Sequence, residues 1–181
     1  MVRVGDLRRY VLISLEERNV RCVARLLDEE APKTCEVFWK SLPQAGNVFH
    51  AKYAGNEVFI LVPRFAAEEP GPENRTIVPA AGDVMYFFLP PWIRLPQAVR
   101  DLGVDGRAVI DLAVFYDRNN LLLSPSEGFT PGNVFATIVR NLEAVRKAGQ
   151  SVWYEGASGE RMVFSRLEGA ELKEWGIEDE S

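Results

Sequence analysis

Histidine is almost absent from this chain and cysteine nearly so: His50 stands alone, and Cys22 and Cys35 are the only thiols in 181 residues. Such a set can complete neither a four-ligand zinc site nor a disulfide framework, so no metal and no other cofactor is expected. Both cysteines read as buried, reduced thiols. Long apolar runs are missing too. The greasiest stretch, 84–93, is interrupted by Pro90 and Pro91 and falls short of the about 18 consecutive apolar residues of a membrane helix. Val11, Leu12 and Ile13, behind a charged start, are too few for the apolar region of a signal peptide. No membrane partner and a cytoplasmic location are therefore expected. Positive charge is in deficit, with 21 Lys+Arg against 26 Asp+Glu and a net charge of −5. Because the basic residues do not cluster, a nucleic-acid partner is not expected. What is there, 47% hydrophobic and 26% charged residues, excludes a disordered, collagenous or coiled-coil chain. The length suits one domain, 1–181, with a core over about 10–167 and an acidic, frayed tail over 168–181 that Trp175 pins to the surface.

Strand signals dominate the first half. Tyr10–Leu15 and 20–27 are β-rich and flank a polar connection of hairpin length. Acids at Asp28, Glu29 and Glu30 and a first-turn Pro32 open a helix, in which Cys35, Phe38, Trp39 and Leu42 recur at i, i+3, i+4 and i+7; Pro43 ends it. Phe38 and Leu42 should be largely buried. Two strands, 48–53 and 57–62, follow around Ala54-Gly55-Asn56. Symmetric closure of that hairpin puts Val48, His50, Lys52, Val58, Ile60 and Val62 on one face, and Phe49, Ala51, Tyr53, Glu57, Phe59 and Leu61 on the other. Residues 66–75 read as a long exposed loop, and 84–89 and 108–116 as further strands. Thr130-Pro131 opens a second helix along Phe135, Ile138, Val139 and Leu142, stopped by Gly149. Strands over 151–155 and 161–166 close the chain as a hairpin. Roughly eight strands and two helices without strand–helix–strand alternation point to a mainly β fold, a closed antiparallel barrel with a helix over each end.

The order of these elements resembles the cyclophilin-like barrel. More narrowly, Ala31-Pro32-Lys33-Thr34, Leu42-Pro43, His50-Ala51, Gly55-Asn56-Glu57-Val58-Phe59, Ala81-Gly82-Asp83-Val84 and Gly132-Asn133-Val134-Phe135-Ala136 look like a bacterial cyclophilin-like family of uncharacterised function. The resemblance implies a closed cyclophilin-like β-barrel. It does not carry prolyl isomerase chemistry with it: cyclophilins place an arginine after their Phe-His pair and a glutamine before their Gly-Asp turn, where Ala51 and Ala80 stand here.

His50 is the one imidazole available for acid–base work near neutral pH, and a histidine satisfied by backbone or hydroxyl partners is the plainer reading. With Tyr53 and Glu57 it forms a polar cluster on the hairpin. Phe59, Tyr86, Phe88, Trp92 and Tyr116 could line a cavity with them or simply fill the core, Trp92 being placed in a proline-rich loop as a rim contact. Glu57 and Asp111 could act as a carboxylate pair, yet nothing in their spacing brings them together, and solvent-facing strand positions account for both. Asn133 reads as part of a helix start. The functional reading is a small-molecule or short-peptide binding protein whose pocket includes His50, Tyr53 and Glu57. The alternative is an enzyme, a prolyl isomerase or an isomerase or hydrolase of a small metabolite with His50 as general acid/base. A third reading is an interaction module using an exposed strand edge. Ligand identity and oligomeric state are left open.

Overall fold

The computed structural model describes residues 8–91 and 108–177. Along the chain run β1 (Tyr10–Leu15), β2 (Val20–Leu26), α1 (Pro32–Ser41), β3 (Gln44–Asn47), β4 (Phe49–His50), β5 (Glu57–Pro63), β6 (Arg75–Thr76) and β7 (Asp83–Leu89). After these come β8 (Val109–Phe115), β9 (Leu123–Ser124), β10 (Gly128–Phe129), β11 (Gly132–Arg140), α2 (Leu142–Glu155), β12 (Arg161–Leu167) and α3 (Ala170–Glu174). The main sheet is ten-stranded, in the order β3-β12-β1-β2-β11-β7-β8-β5-β4, with β6 beside β11; β9 and β10 form a separate two-stranded ribbon. Its pairings are antiparallel.

The expected closed barrel of roughly eight strands is corrected on two counts. No ladder joins β3 to β4 or β5, so among the described residues the path of hydrogen-bonded strands does not close; β3 bonds to β12 and β4 to β5, with buried Val48 between them. The strand count is also larger. Besides β11, the additional strands are β3, β6, β9 and β10, of two to four residues each, too few to display a period-2 pattern, and the strand expected over 48–53 is only the two residues of β4.

Helix α1 covers the concave core as its stripe requires. Phe38 is fully buried, its ring 4.6 Å from that of Phe135 and 5.8 Å from that of Phe164, while Leu42 is only partly buried at the end of the helix. The guanidinium groups of Arg9 and Arg166 lie 5.4 and 5.0 Å from the Trp39 ring. The N-terminal N–H groups of α1 are not met by Asp28, Glu29 or Glu30. Glu73, from the 66–75 loop, accepts from the backbone N–H groups of Lys33 and Thr34 and from the Thr34 hydroxyl, at 2.8–3.1 Å. Asn133 braces this cap, donating to Thr34 Oγ1 and to the Gly71 carbonyl.

The second helix is displaced. Residues Gly132–Arg140 form β11, a central strand between β2 and β7. It is buried on both faces through most of its length, and a strand covered on both sides is apolar throughout, which mimics a helical stripe at i, i+3, i+4 and i+7. Gly132 begins it because a Cβ there would stand 2.3 Å from the Phe87 ring. Helix α2 starts only after Asn141 and takes in 151–155, so no hairpin closes the chain. Gly149 does not stop α2 but lies within it, where a Cβ would stand 2.3 Å from the Tyr116 ring. The tail is docked rather than frayed through residue 177: Leu172 and Ile177 are buried with Val23 and Leu167, and Arg21 lies 5.7 Å from the Trp175 ring. No helix among the described residues is long and apolar enough to cross a membrane.

Candidate functional site

The two faces of the β5–β8–β7 sheet differ in what covers them. Phe49 pairs with Phe59 and His50 with Val58, as the expected partition has them; Lys52, expected on the face of His50, instead borders the cavity on the other side. Val58, Ile60, Val62, Ile110, Leu112 and Val114 belong to the main core. On the opposite face Phe59, Ala113, Phe115, Met85 and Phe87 pack beneath the segments that follow β4 and β8. Asn120 ties these segments together: its Oδ1 accepts from the Asn56 N–H at 2.8 Å, and its Nδ2 donates to the Pro79 and Asp117 carbonyls at 2.9 and 2.7 Å. Leu121 N–H donates to the Ala54 carbonyl at 3.2 Å. Gly55, at φ +106°, allows the close pass, since a Cβ there would stand 2.7 Å from Asn120 Oδ1.

Between this stitched loop, the sheet and the β9–β10 ribbon lies a cavity of about 290 Å³. Apolar groups form much of its wall, among them Phe59, Phe87, Leu89 and Leu122, and Ala51, Tyr53, Glu57 and Asp111 also border it. Lys52 and Glu127 stand at the rim, both exposed. Glu57 is only 5% exposed, and among the described residues its carboxyl has no hydrogen-bond partner. Asp111 lies between Leu61 on β5 and Phe87 on β7, with Oδ1 buried and unpaired. Burial pushes the Glu57 carboxyl up to about 8. Burial first, and the Glu57 charge second, push Asp111 well above the usual carboxylate range. Two carboxyls so placed favour the protonated form more than free carboxyls do, and can exchange protons with whatever enters.

The expectation that Glu57 and Asp111 occupy solvent-facing positions is overturned. The signal for Asp111 was in the sequence: a strand apolar at every other position from 108 to 116 is covered on both faces, so its one acid has no wet face to occupy.

Tyr53, Glu57 and Phe59 meet at the cavity. Tyr86 and Phe88 instead border an adjoining cavity of about 490 Å³, which shares Phe87, Leu89, Glu127 and Thr130 with the first. There the Tyr86 hydroxyl donates to Glu69. His50 and Tyr116 are brought together elsewhere, on the core-side face of the hairpin. His50 Nδ1 donates to the Ala51 carbonyl at 2.7 Å, leaving Nε2 to accept from the Tyr116 hydroxyl at 2.7 Å, and the imidazole ring lies 4.9 Å from that of Trp153. Burial lowers its pKa against the opposing hydrogen bond to Ala51. Trp92 lies outside the described residues. Both cysteines are buried and unpaired with each other, their thiols pushed up to about 12 mainly by burial. No cluster of three or more metal-ligating side chains occurs among the described residues.

A model of a protein family described as of unknown function, DUF3830, matches residues 13–164. No curated protein matches the chain. Among solved structures, McbB in complex with tryptophan is similar over 88% of this chain and 45% of its own, with a TM-score of 0.61 at 22% identity. The hypothetical protein AF2241 from Archaeoglobus fulgidus is similar over 90% of this chain and 99% of its own, with a TM-score of 0.50 at 18% identity. The chain thus spans under half the length of McbB, and both likenesses are of fold.

Proposed function

The chain belongs to the DUF3830 family, whose function is unknown, and we propose that it binds a small organic molecule in the Glu57–Asp111 cavity. One observation carries this reading: a carboxyl 5% exposed and without a hydrogen-bond partner among the described residues borders an apolar-walled cavity of about 290 Å³. Burying an ionisable group unpaired costs free energy that a purely structural position would avoid, and convergent polar groups on an apolar wall are how small ligands are oriented. Tyr53 and Phe59 flank the ligand, and Tyr86 and Phe88 border the space into which a longer one extends. McbB, similar in fold, was solved with tryptophan, itself a small molecule. We read the scaffold as an opened relative of the cyclophilin-like barrel; Ala51, which by that resemblance replaces the isomerase arginine, borders the same cavity, so the chemistry is not prolyl isomerisation.

The test is ligand-dependent melting of the full chain against a metabolite panel, repeated with Glu57→Gln and Phe59→Ala. Compounds that raise Tm should lose that effect in both variants. Stabilisation that persists unchanged in both would refute the assignment of the cavity.

A further inference from the structure

The charge inventory of the cavity identifies the class of its ligand. Two carboxyls are embedded in it, and no cation among the described residues is paired with either. Among the described residues, Lys52 is the one basic residue on its wall; it is exposed at the rim and is in no ion pair with another described residue. The remaining titratable neighbours are Tyr53 on the same loop and Glu127 from the β9–β10 turn, neither of which supplies positive charge. Among the described residues the cavity therefore offers two buried carboxyls and no buried cation, inside walls made of Phe59, Phe87, Leu89 and Leu122. A buried carboxylate is tolerated when a cation and its N–H donors occupy the same site, and an ammonium group offers three such donors to the Glu57 carboxyl on the cavity wall.

We infer that the ligand is a compact amine with an apolar or aryl body, bound as its ammonium ion against the Glu57 carboxyl, with Asp111 in the same cavity wall. This rests on the reading of the cavity as the binding site. Burial pushes the Glu57 carboxyl up to about 8; an ammonium beside it makes the carboxylate the favoured form, so Glu57 releases its O–H proton to solvent while the ligand keeps its own N–H protons.

Three probes of one shape and different charge test this on the full chain at pH 7: 2-phenylethylamine, 2-phenylethanol and phenylacetate, titrated calorimetrically in two buffers of different ionisation heat. The amine should bind at least tenfold more tightly than the alcohol, phenylacetate should not bind, and only the amine should show proton release. Glu57→Gln and Asp111→Asn, each verified as folded by its melting curve, should each weaken amine binding, Glu57→Gln at least tenfold. Binding of the alcohol or phenylacetate as tight as that of the amine, amine binding that both variants leave intact, or no amine binding at all overturns the inference. Aromatic NMR signals of Phe59 separate the two levels of failure. If the alcohol or phenylacetate shifts them, the cavity remains the site and only the ligand class is wrong; if no probe does, the cavity assignment falls as well.

Discussion

Replacing Glu57 by glutamine should make the protein more stable at neutral pH, although it removes a buried native group. The carboxyl is 5% exposed and its pKa rises from 4.5 to about 8 on folding, because burial disfavours the charged form. For an acid raised in the folded state, the folded form binds the proton more tightly; its contribution to stability is complete below the unfolded value and is lost as pH climbs towards the folded one. The window runs from 4.5 to about 8. Each pH unit inside it costs about 1.4 kcal/mol, so the wild type gives up roughly 3 kcal/mol between acid conditions and pH 7. Asp111 shifts in the same direction beside Glu57 and steepens the decline. Glutamine has the shape of the protonated acid and nothing to lose. Urea unfolding followed by circular dichroism from pH 5 to pH 8 should show wild-type stability falling with pH and Glu57→Gln falling much less, so that the variant is within about 1 kcal/mol of wild type at pH 5 and roughly 2–3 kcal/mol more stable near pH 8. A flat wild-type profile, or a variant destabilised equally at both ends, would refute the argument that this carboxyl is desolvated.

Gly149→Ala should destabilise by about 1–3 kcal/mol through overpacking against Tyr116, outweighing the roughly 1 kcal/mol that alanine gains over glycine within a helix; a raised urea midpoint would show that the ring can yield. Glu73→Ala should cost about 1–2 kcal/mol by uncapping α1 from a distant loop, whereas removing Glu29, which has no part in the cap, should change the midpoint by no more than about 0.5 kcal/mol. A prolyl peptide should isomerise in the presence of the protein at its uncatalysed rate, set by a barrier of about 18–20 kcal/mol; robust acceleration would restore the isomerase reading despite Ala51 and Ala80.

Local pattern was informative wherever one face of an element differs from the other. The stripe of Cys35 and Phe38 marks α1, and alternation along the sequence separates Phe59 from Val58. It failed where burial is two-sided, as in β11, since a strand enclosed by α1 on one side and other segments on the other loses its period. The site divides along the same line. Tyr53, Glu57 and Phe59 share a face by parity alone, and parity also sets His50 apart from them. That Asp111 joins Glu57 depends on the pairing of β5 with β8, a contact between segments some fifty residues apart in sequence that no local window contains. The cap on α1 was illegible for the same reason, being supplied by Glu73 across a loop while three nearer acids stand unused.

The junction at Val48 has a consequence for how the molecule behaves among its own copies. An open sheet exposes a row of unsatisfied N–H and C=O groups along each lateral border, and such borders template strand addition by other chains. Here the two outermost members of the path, β3 and β4, are consecutive pieces of one short segment, and Val48 N–H between them is already bonded to the Glu160 carbonyl at 2.9 Å. The borders are four and two residues long and face one another across a single buried residue, so an incoming strand would find no free lateral row long enough to extend. The sheet thus gains the self-protection of a barrel without a closed ring of hydrogen bonds, and recruitment of partners through an exposed strand edge has no foothold at this seam.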